Sequence, residues 1–332
     1  MKKLSIVIPV YNVELYLAAC LDSCLETART DDYEIVAVND GSTDRSGTIL
    51  DDYVRKYPDV IKSIRTENGG LGHARNTGLD LSDGDYVLFL DSDDRLSPGA
   101  IEQILNSIDG SFDLGLFDFT EVDELGRKLR TVRGCGREEG CFTLDEYPEL
   151  IFAPPNVSNK IWRRNLFLDS GIRFPDRIWF EDLATVPKLY LRTDRIHYCS
   201  KSWYLYLQRS SSIMKTANAE RNREMLIAIG STMDFYRQQG AFERREAQLC
   251  YLAAYHELLT TTTRVNLIDP DSPVQDALRE DFLSRFPNYG QNTYIKRMPA
   301  KHRLLIRLIV AKRLRLVHLL MRMNQTLRRW DH

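Results

Sequence analysis

A chain of 332 residues, 43% hydrophobic and 28% charged, has the balance of an ordinary globular protein and room for one large domain with an accessory one. Its six cysteines do not make a disulfide framework in a chain this size, and no run reaches the ~18 uncharged apolar residues of a membrane-spanning helix. The net charge of −2 hides an asymmetry: residues 296–332 hold eleven Lys and Arg against one acid, so the body is acidic and the tail basic.

In chain order, residues 4–10 form an apolar run that predicts a strand, and 13–26 carry helical spacing. The alternation continues with a strand at 34–39, a helix at 44–57, a strand at 60–65, a helix at 71–81, a strand at 86–90, a helix at 98–108 and a strand at 114–119. Strand and helix alternating in this way predict a mostly parallel α/β sheet covered by helices, with ligands at the carboxyl ends of the strands. Residues 121–150, polar and rich in glycine, read as a loop region. Residues 155–214 regain aromatic and charged character, with a helix at 183–191, and residues 216–290 read as helical.

The strand ends are polar. Asp40-Gly41-Ser42-Thr43-Asp44 follows the second strand; its Ser, Thr and second Asp suit a turn and helix cap, whereas Asp40 at the strand end suits a nucleobase imide N–H. Asn68-Gly69-Gly70 leads through Leu71 and Gly72 to His73, Ala74 and Arg75, a glycine turn before a helix that lacks the sequence of a Walker loop or a dinucleotide fingerprint. After the buried run 86–90 come Asp91, Ser92, Asp93 and Asp94. On an extended backbone Asp91 and Asp93 share a side, and two such carboxylates suit a hard divalent cation, Mg2+ or Mn2+, shared with phosphate; Asp94 suits a helix cap.

Taken with Pro9, Val10, Tyr11 and Asn12 at the end of the first strand, and with Ala74-Arg75-Asn76-Thr77-Gly78, these blocks resemble the family 2 glycosyltransferases in order and spacing. The resemblance implies the GT-A fold over residues 1–215, with 1–120 binding a nucleotide-sugar and 121–215 meeting the acceptor, followed by a mainly helical C-terminal region, 216–332. It implies that Pro9, Tyr11 and Asp40 hold the base of the donor, often uridine. Asn12, Asn68, Arg75 and Ser92 join the donor-binding set. Asp91 would lie near the ribose or the metal, and Asp93 would ligate the metal that bridges the diphosphate. In inverting members an Asp at a helix head takes the acceptor proton. Here Trp179-Phe180-Glu181-Asp182 matches, with Asp182 as base and Glu181 in reserve. The segments 159–164 and 204–213 resemble the branch that builds bacterial surface polysaccharides. The second of these carries Arg209, a natural phosphate partner, in a stretch able to close over the diphosphate. The Gln-X-X-Arg-Trp motif of processive members is missing, so the resemblance implies transfer of one sugar from a UDP-sugar to a glycan acceptor, in particular a lipid-linked one. A nucleotidyltransferase or a non-catalytic nucleotide-sugar binder with the same fold are the rival readings.

Residues 299–329 interleave aliphatic and basic side chains, which predicts a helix lying on an anionic bilayer surface. Packing on the protein's own core or against another copy are the other uses of such a helix; nucleic acid is disfavoured by the shortage of aromatics. The N-terminal residues lack an apolar signal segment, so the expected location is the cytoplasm, peripheral to the inner face of the membrane.

Overall fold

The computed structural model describes residues 2–27, 29–209 and 218–330, the last seven by backbone alone. The chain divides into two units, Met1–Ser212 and Ile213–His332.

The first unit is built on a ten-stranded sheet. Strand β1 (Leu4–Val10) is buried along its whole length and pairs in parallel with β2 (Tyr33–Asn39) on one side and β4 (Tyr86–Phe89) on the other. The strand β3 (Ile61–Arg65) closes that edge, also parallel, and exposes four of its five residues, as a charged edge strand should. The ladder between β1 and β4 ends at Val7 and Phe89. Pro9 comes after that point, where a missing N–H removes no bond to β4, and the strands part into a cleft at their carboxyl ends.

The sheet is parallel through β3, β2, β1 and β4, as expected, and mixed beyond β4. Strand β9 (Lys160–Arg163) runs antiparallel between β4 and β6 (Leu114–Val122), and β10 (Ile196–Leu207) lies parallel to β6 with two register shifts. The short β5 (Arg95–Leu96) pairs antiparallel with β10. The predicted loop at 121–150 is corrected: it contains β7 (Lys128–Val132), antiparallel to β6, and β8 (Gly140–Phe142), antiparallel to β10. Strand β7 is almost wholly exposed, so it has no buried face to impose an alternating pattern on the sequence.

Helices α1 (Leu17–Ser23), α2 (Ser46–Lys56), α3 (Leu71–Asp80), α4 (Ala100–Ser107), α5 (Asn165–Ser170) and α6 (Glu181–Tyr190) complete this unit. The helix expected from residue 13 begins only at Leu17. The amides of Val13 and Glu14 donate instead to Ser46 Oγ (2.9 Å) and Asp44 Oδ2 (3.0 Å), which ties the first strand end to the second.

The second unit is helical: α7 (Glu224–Gln238), α8 (Phe242–Ala253), a π-helical stretch (Ala254–Thr261), α9 (Thr262–Ile268), α10 (Val274–Arg285), α11 (Thr293–Arg297), α12 (Ala300–Val310) and α13 (Leu314–Trp330). Its core includes Ile229, Met233, Leu249, Leu258, Val265, Leu278 and Phe282. The basic tail divides in two. Helix α12 buries Leu305, Ile306 and Ile309 within its own unit, whereas α13 buries Val317 but exposes Leu316, Leu319 and Met323. Among the described residues, no helix is long and apolar enough to cross a membrane.

Candidate active site

The polar strand ends meet as expected, but through contacts that the sequence does not show. Asn12, with a left-handed φ of 50°, turns its Oδ1 to the amide of Thr43 (2.8 Å), and its own amide donates to Ser42 Oγ (3.2 Å). This junction fixes Tyr11, half of whose surface is exposed, beside the second strand end. Pro9 itself is buried in β1.

Asp40 is buried. Its Oδ1 accepts the Gly69 amide (2.8 Å) and its Oδ2 the Gly70 amide (2.9 Å), while Asn68 Nδ2 donates to its backbone carbonyl (3.1 Å). The carboxylate therefore shapes the glycine turn 68–70. Gly70 adopts φ 89°, open to glycine alone at little cost, and packs against the backbone of Arg177. The segment 174–180 runs over this turn as a strap. Asn76 clamps it through the amide and carbonyl of Phe174 (3.0 and 2.7 Å), and Arg177 Nη2 donates to Asn68 O (2.9 Å). The strap ends in two non-glycine residues at positive φ, Arg177 (58°) and Phe180 (67°), directly before Glu181 and Asp182. Strain of this kind is kept where the surroundings over-determine the backbone, and such places cluster at functional sites.

Arg75 is the centre of the site. It is buried on α3, and its guanidinium pairs with Asp91 Oδ1 (2.8 Å), Glu181 Oε1 (3.0 Å) and Asp182 Oδ1 (2.7 Å), over the ring of Phe174. Burial alone would lower its pKa, but the three acids hold it well above the ordinary arginine value. Burial and the neighbouring Asp182 push Glu181 up to about 7, against the pull of Arg75. Burial also raises Asp182, with Arg75 opposing and Asp91 adding to the rise. The second oxygen of Asp182 accepts the Val157 amide (3.0 Å).

The run Asp91–Asp94 is a turn and not an extended continuation of β4: Asp94 N donates to Asp91 O (2.9 Å). Asp91 and Asp93 consequently face different cations. Asp91 pairs with Arg75, and Asp93 Oδ2 with Arg209 Nη2 (2.7 Å), whose guanidinium lies over the ring of Tyr16. Burial raises Asp93, and Asp91 raises it further. Ser92 is buried between them. Asp94 is not the expected helix cap. It is buried and accepts from Tyr204 Oη (2.5 Å) and Leu207 N (2.7 Å), so it anchors the turn to β10. Residues 210–213, expected to close over the diphosphate, lie outside the described residues. Among the described residues no three His, Cys, Asp or Glu side chains form a metal cage. Asp91 and Asp93 fit the other pattern, in which a hard cation takes one or two carboxylates and completes its shell from phosphate and water.

Lys160, within the segment 159–164, is fully buried, and burial lowers its pKa to about 7 while Asp182 opposes the shift. A lysine opening an apolar strand, Lys160-Ile161-Trp162, was the available signal.

Residues 5–146 match the model of glycosyl transferase family 2. Over 217 residues the chain is 34% identical to a poly(ribitol-phosphate) β-glucosyltransferase of Bacillus spizizenii, an alignment that takes in 62% of this chain and 32% of the relative. The chain thus spans about a third of that relative's length. Among solved structures, residues 1–349 of Staphylococcus aureus TarS in complex with UDP-GlcNAc superpose with a TM-score of 0.67 at 23% identity, over 97% of this chain and 92% of that one. A mannosyltransferase of Pyrobaculum calidifontis, in complex with GDP-Man and Mn2+, superposes with a TM-score of 0.55 at 14% identity, over 96% and 87%. At these identities the likeness establishes the fold.

Proposed function

We propose that the chain, whose residues 5–146 match the model of glycosyl transferase family 2, moves one sugar from a UDP-sugar to a polyol-phosphate or glycan acceptor of a bacterial surface polysaccharide, with inversion. One observation carries the reading. A single buried guanidinium, Arg75, joins Asp91 on the donor side to Glu181 and Asp182 at the head of α6.

Asp182 is the base. It takes the proton of the acceptor hydroxyl as that oxygen bonds to the anomeric carbon and the bond to the nucleoside diphosphate breaks, UDP leaving with the electron pair. Burial that raises a carboxylate's pKa makes it a stronger base, and the opposing pull of Arg75 favours its ionised form. Tyr11 lies along the nucleobase, and Asp40 acts on it by holding turn 68–70 in place. Asp93, with Asp91, would hold the Mn2+ or Mg2+ that offsets charge on the departing diphosphate. Arg209, beside Asp93, serves the same phosphates. Inversion is drawn from the resemblance to inverting members of the family, in which the acceptor oxygen displaces the diphosphate in one step.

The acceptor class is drawn from the poly(ribitol-phosphate) relative, and the donor from the UDP-GlcNAc complex of TarS. The test is UDP release from a panel of UDP-sugars, with and without Mn2+. Metal-dependent release that Asp93→Ala abolishes supports the reading. Release of pyrophosphate instead of UDP would mark a nucleotidyltransferase, and metal-independent binding without turnover a plain binder.

A further inference from the structure

We propose that Lys160 is a positioning residue for the base: its buried ammonium gathers the main chain of residues 154–156 so that the Val157 N–H is aimed at Asp182. The proposal rests on the reading of Asp182 as the base.

The first residue of β9, Lys160 has no exposed surface. Its ammonium has three protons and three acceptors: Pro154 O (3.1 Å), Asn156 O (2.5 Å) and Asn159 Oδ1 (2.7 Å). All three acceptors are neutral. A buried cation with no carboxylate in contact is expensive to keep, and a leucine or methionine would fill the same space at less cost. What the amine does that an aliphatic side chain would not is tie together the carbonyls on one side of a short loop. The same loop is fixed elsewhere by Asn159 Nδ2, which donates to Phe117 O on β6 (2.9 Å), and by Trp162 Nε1, which donates to Val157 O (3.3 Å). Held at these points, the loop presents one amide, Val157 N, to Asp182 Oδ2 at 3.0 Å. Arg75 occupies the other oxygen at 2.7 Å. Two donors from opposite sides, α3 and the β9 loop, thereby fix the rotation of the carboxylate and leave its remaining lone pairs for an acceptor proton.

The groups facing Asp182 are Arg75 from α3, Asp91 from the turn after β4, Glu181 from its own helix, and Lys160 with the Val157 amide from the β9 side. Arg75, Lys160 and the amide favour the carboxylate; Asp91 opposes it. On the acid side of pH 7, where Lys160 holds its proton, its loss removes a charge and loosens an amide, both in the direction that favours the protonated acid. The acid limb of the rate profile therefore moves to higher pH.

The experiment measures UDP release by the full chain from UDP-N-acetylglucosamine and UDP-glucose as probes, with Mn2+, as kcat and KM across pH, alongside UDP affinity. Lys160→Met is expected to lower kcat about 10- to 100-fold, the scale of a misplaced catalytic group, with donor KM and UDP affinity within about twofold of wild type. Its acid limb shifts upward, and Lys160→Arg, which keeps the cation, recovers part of the rate. Val157→Pro deletes the N–H while leaving Lys160, and is expected to reproduce the Lys160→Met profile; the double variant is no worse than either single one, since both act through one contact. A Lys160→Met protein with wild-type kcat and an unmoved acid limb overturns the proposal. So does a Val157→Pro protein that behaves as wild type, which decides the matter alone if Lys160→Met does not fold. Wild-type rates in Asp182→Asn would instead overturn the base assignment.

Discussion

At the scale of single residues, Arg75 carries more than any other side chain in the cleft. Removing one partner from a buried charge cluster leaves the others uncompensated, which costs about 3–5 kcal/mol. Arg75→Met should therefore lower the melting temperature sharply, while Arg75→Lys, without the planar fork that reaches three carboxylates at once, should recover only part of it. Glu181 makes the companion prediction. Its carboxyl titrates near 4.5 when unfolded and at about 7 when folded. Between those values the folded state holds a proton that the unfolded state has lost, so stability falls as pH rises through that window. Melting curves should show Glu181→Gln gaining on the wild type from pH 5 to pH 8; a constant difference would contradict it. The acids at 91, 93, 181 and 182 are legible in the sequence because each stands at the end of a strand or the head of a helix. What joins them is not. Arg75 lies 106 and 107 residues from Glu181 and Asp182, and no local pattern encodes a contact at that separation. Asp94 is hidden for the same reason: the partner that makes it an anchor, Tyr204, is 110 residues away.

At the scale of elements, the strap 174–180 connects the two halves of the cleft. A Cβ added to Gly72 would lie 2.2 Å from the backbone oxygen of Pro175, closer than any real contact, and a carbonyl cannot swing aside as a side chain can. Gly72→Ala should displace the strap, destabilise the protein by about 1–3 kcal/mol as overpacking does, and lower turnover through Glu181 and Asp182. A wild-type melting temperature with wild-type turnover would show that the strap is slack. The central parallel strands β1, β2 and β4 are readable because burial on both faces makes each a continuous apolar run. The exposed β7 and the three-residue β8 have no such run and look like loop. Helix α1 begins at Leu17 and not at residue 13, and the amides of Val13 and Glu14 donate to side chains of the second strand end, a tertiary contact that no local pattern encodes.

At the scale of the whole molecule, basic charge concentrates in the C-terminal residues 296–332, and α13 adds exposed apolar side chains to it. Leu316, Leu319 and Met323 recur at helical spacing on α13 and are exposed, with Arg315 and Arg322 beside them. We propose an anionic bilayer surface as their partner, since apolar burial and charge attraction then act together. Changing all three to Ser should reduce sedimentation with phosphatidylglycerol vesicles and leave UDP release unchanged; undiminished vesicle binding would point to another use of that face. Helix α12 buries Leu305, Ile306 and Ile309 but leaves Leu304 exposed, so the amphipathic pattern of the tail is legible in the sequence while what each apolar face meets is not.

The central claim is that one carboxylate at the head of α6 takes the acceptor proton in a site otherwise complete without it. The direct measurement is Asp182→Asn in the full chain, followed both by UDP-sugar binding and by UDP release with Mn2+. The account predicts donor affinity within a few fold of wild type and turnover lowered about 100- to 10,000-fold, the range of a lost general base. Turnover within about tenfold of wild type, with donor affinity intact, would contradict it.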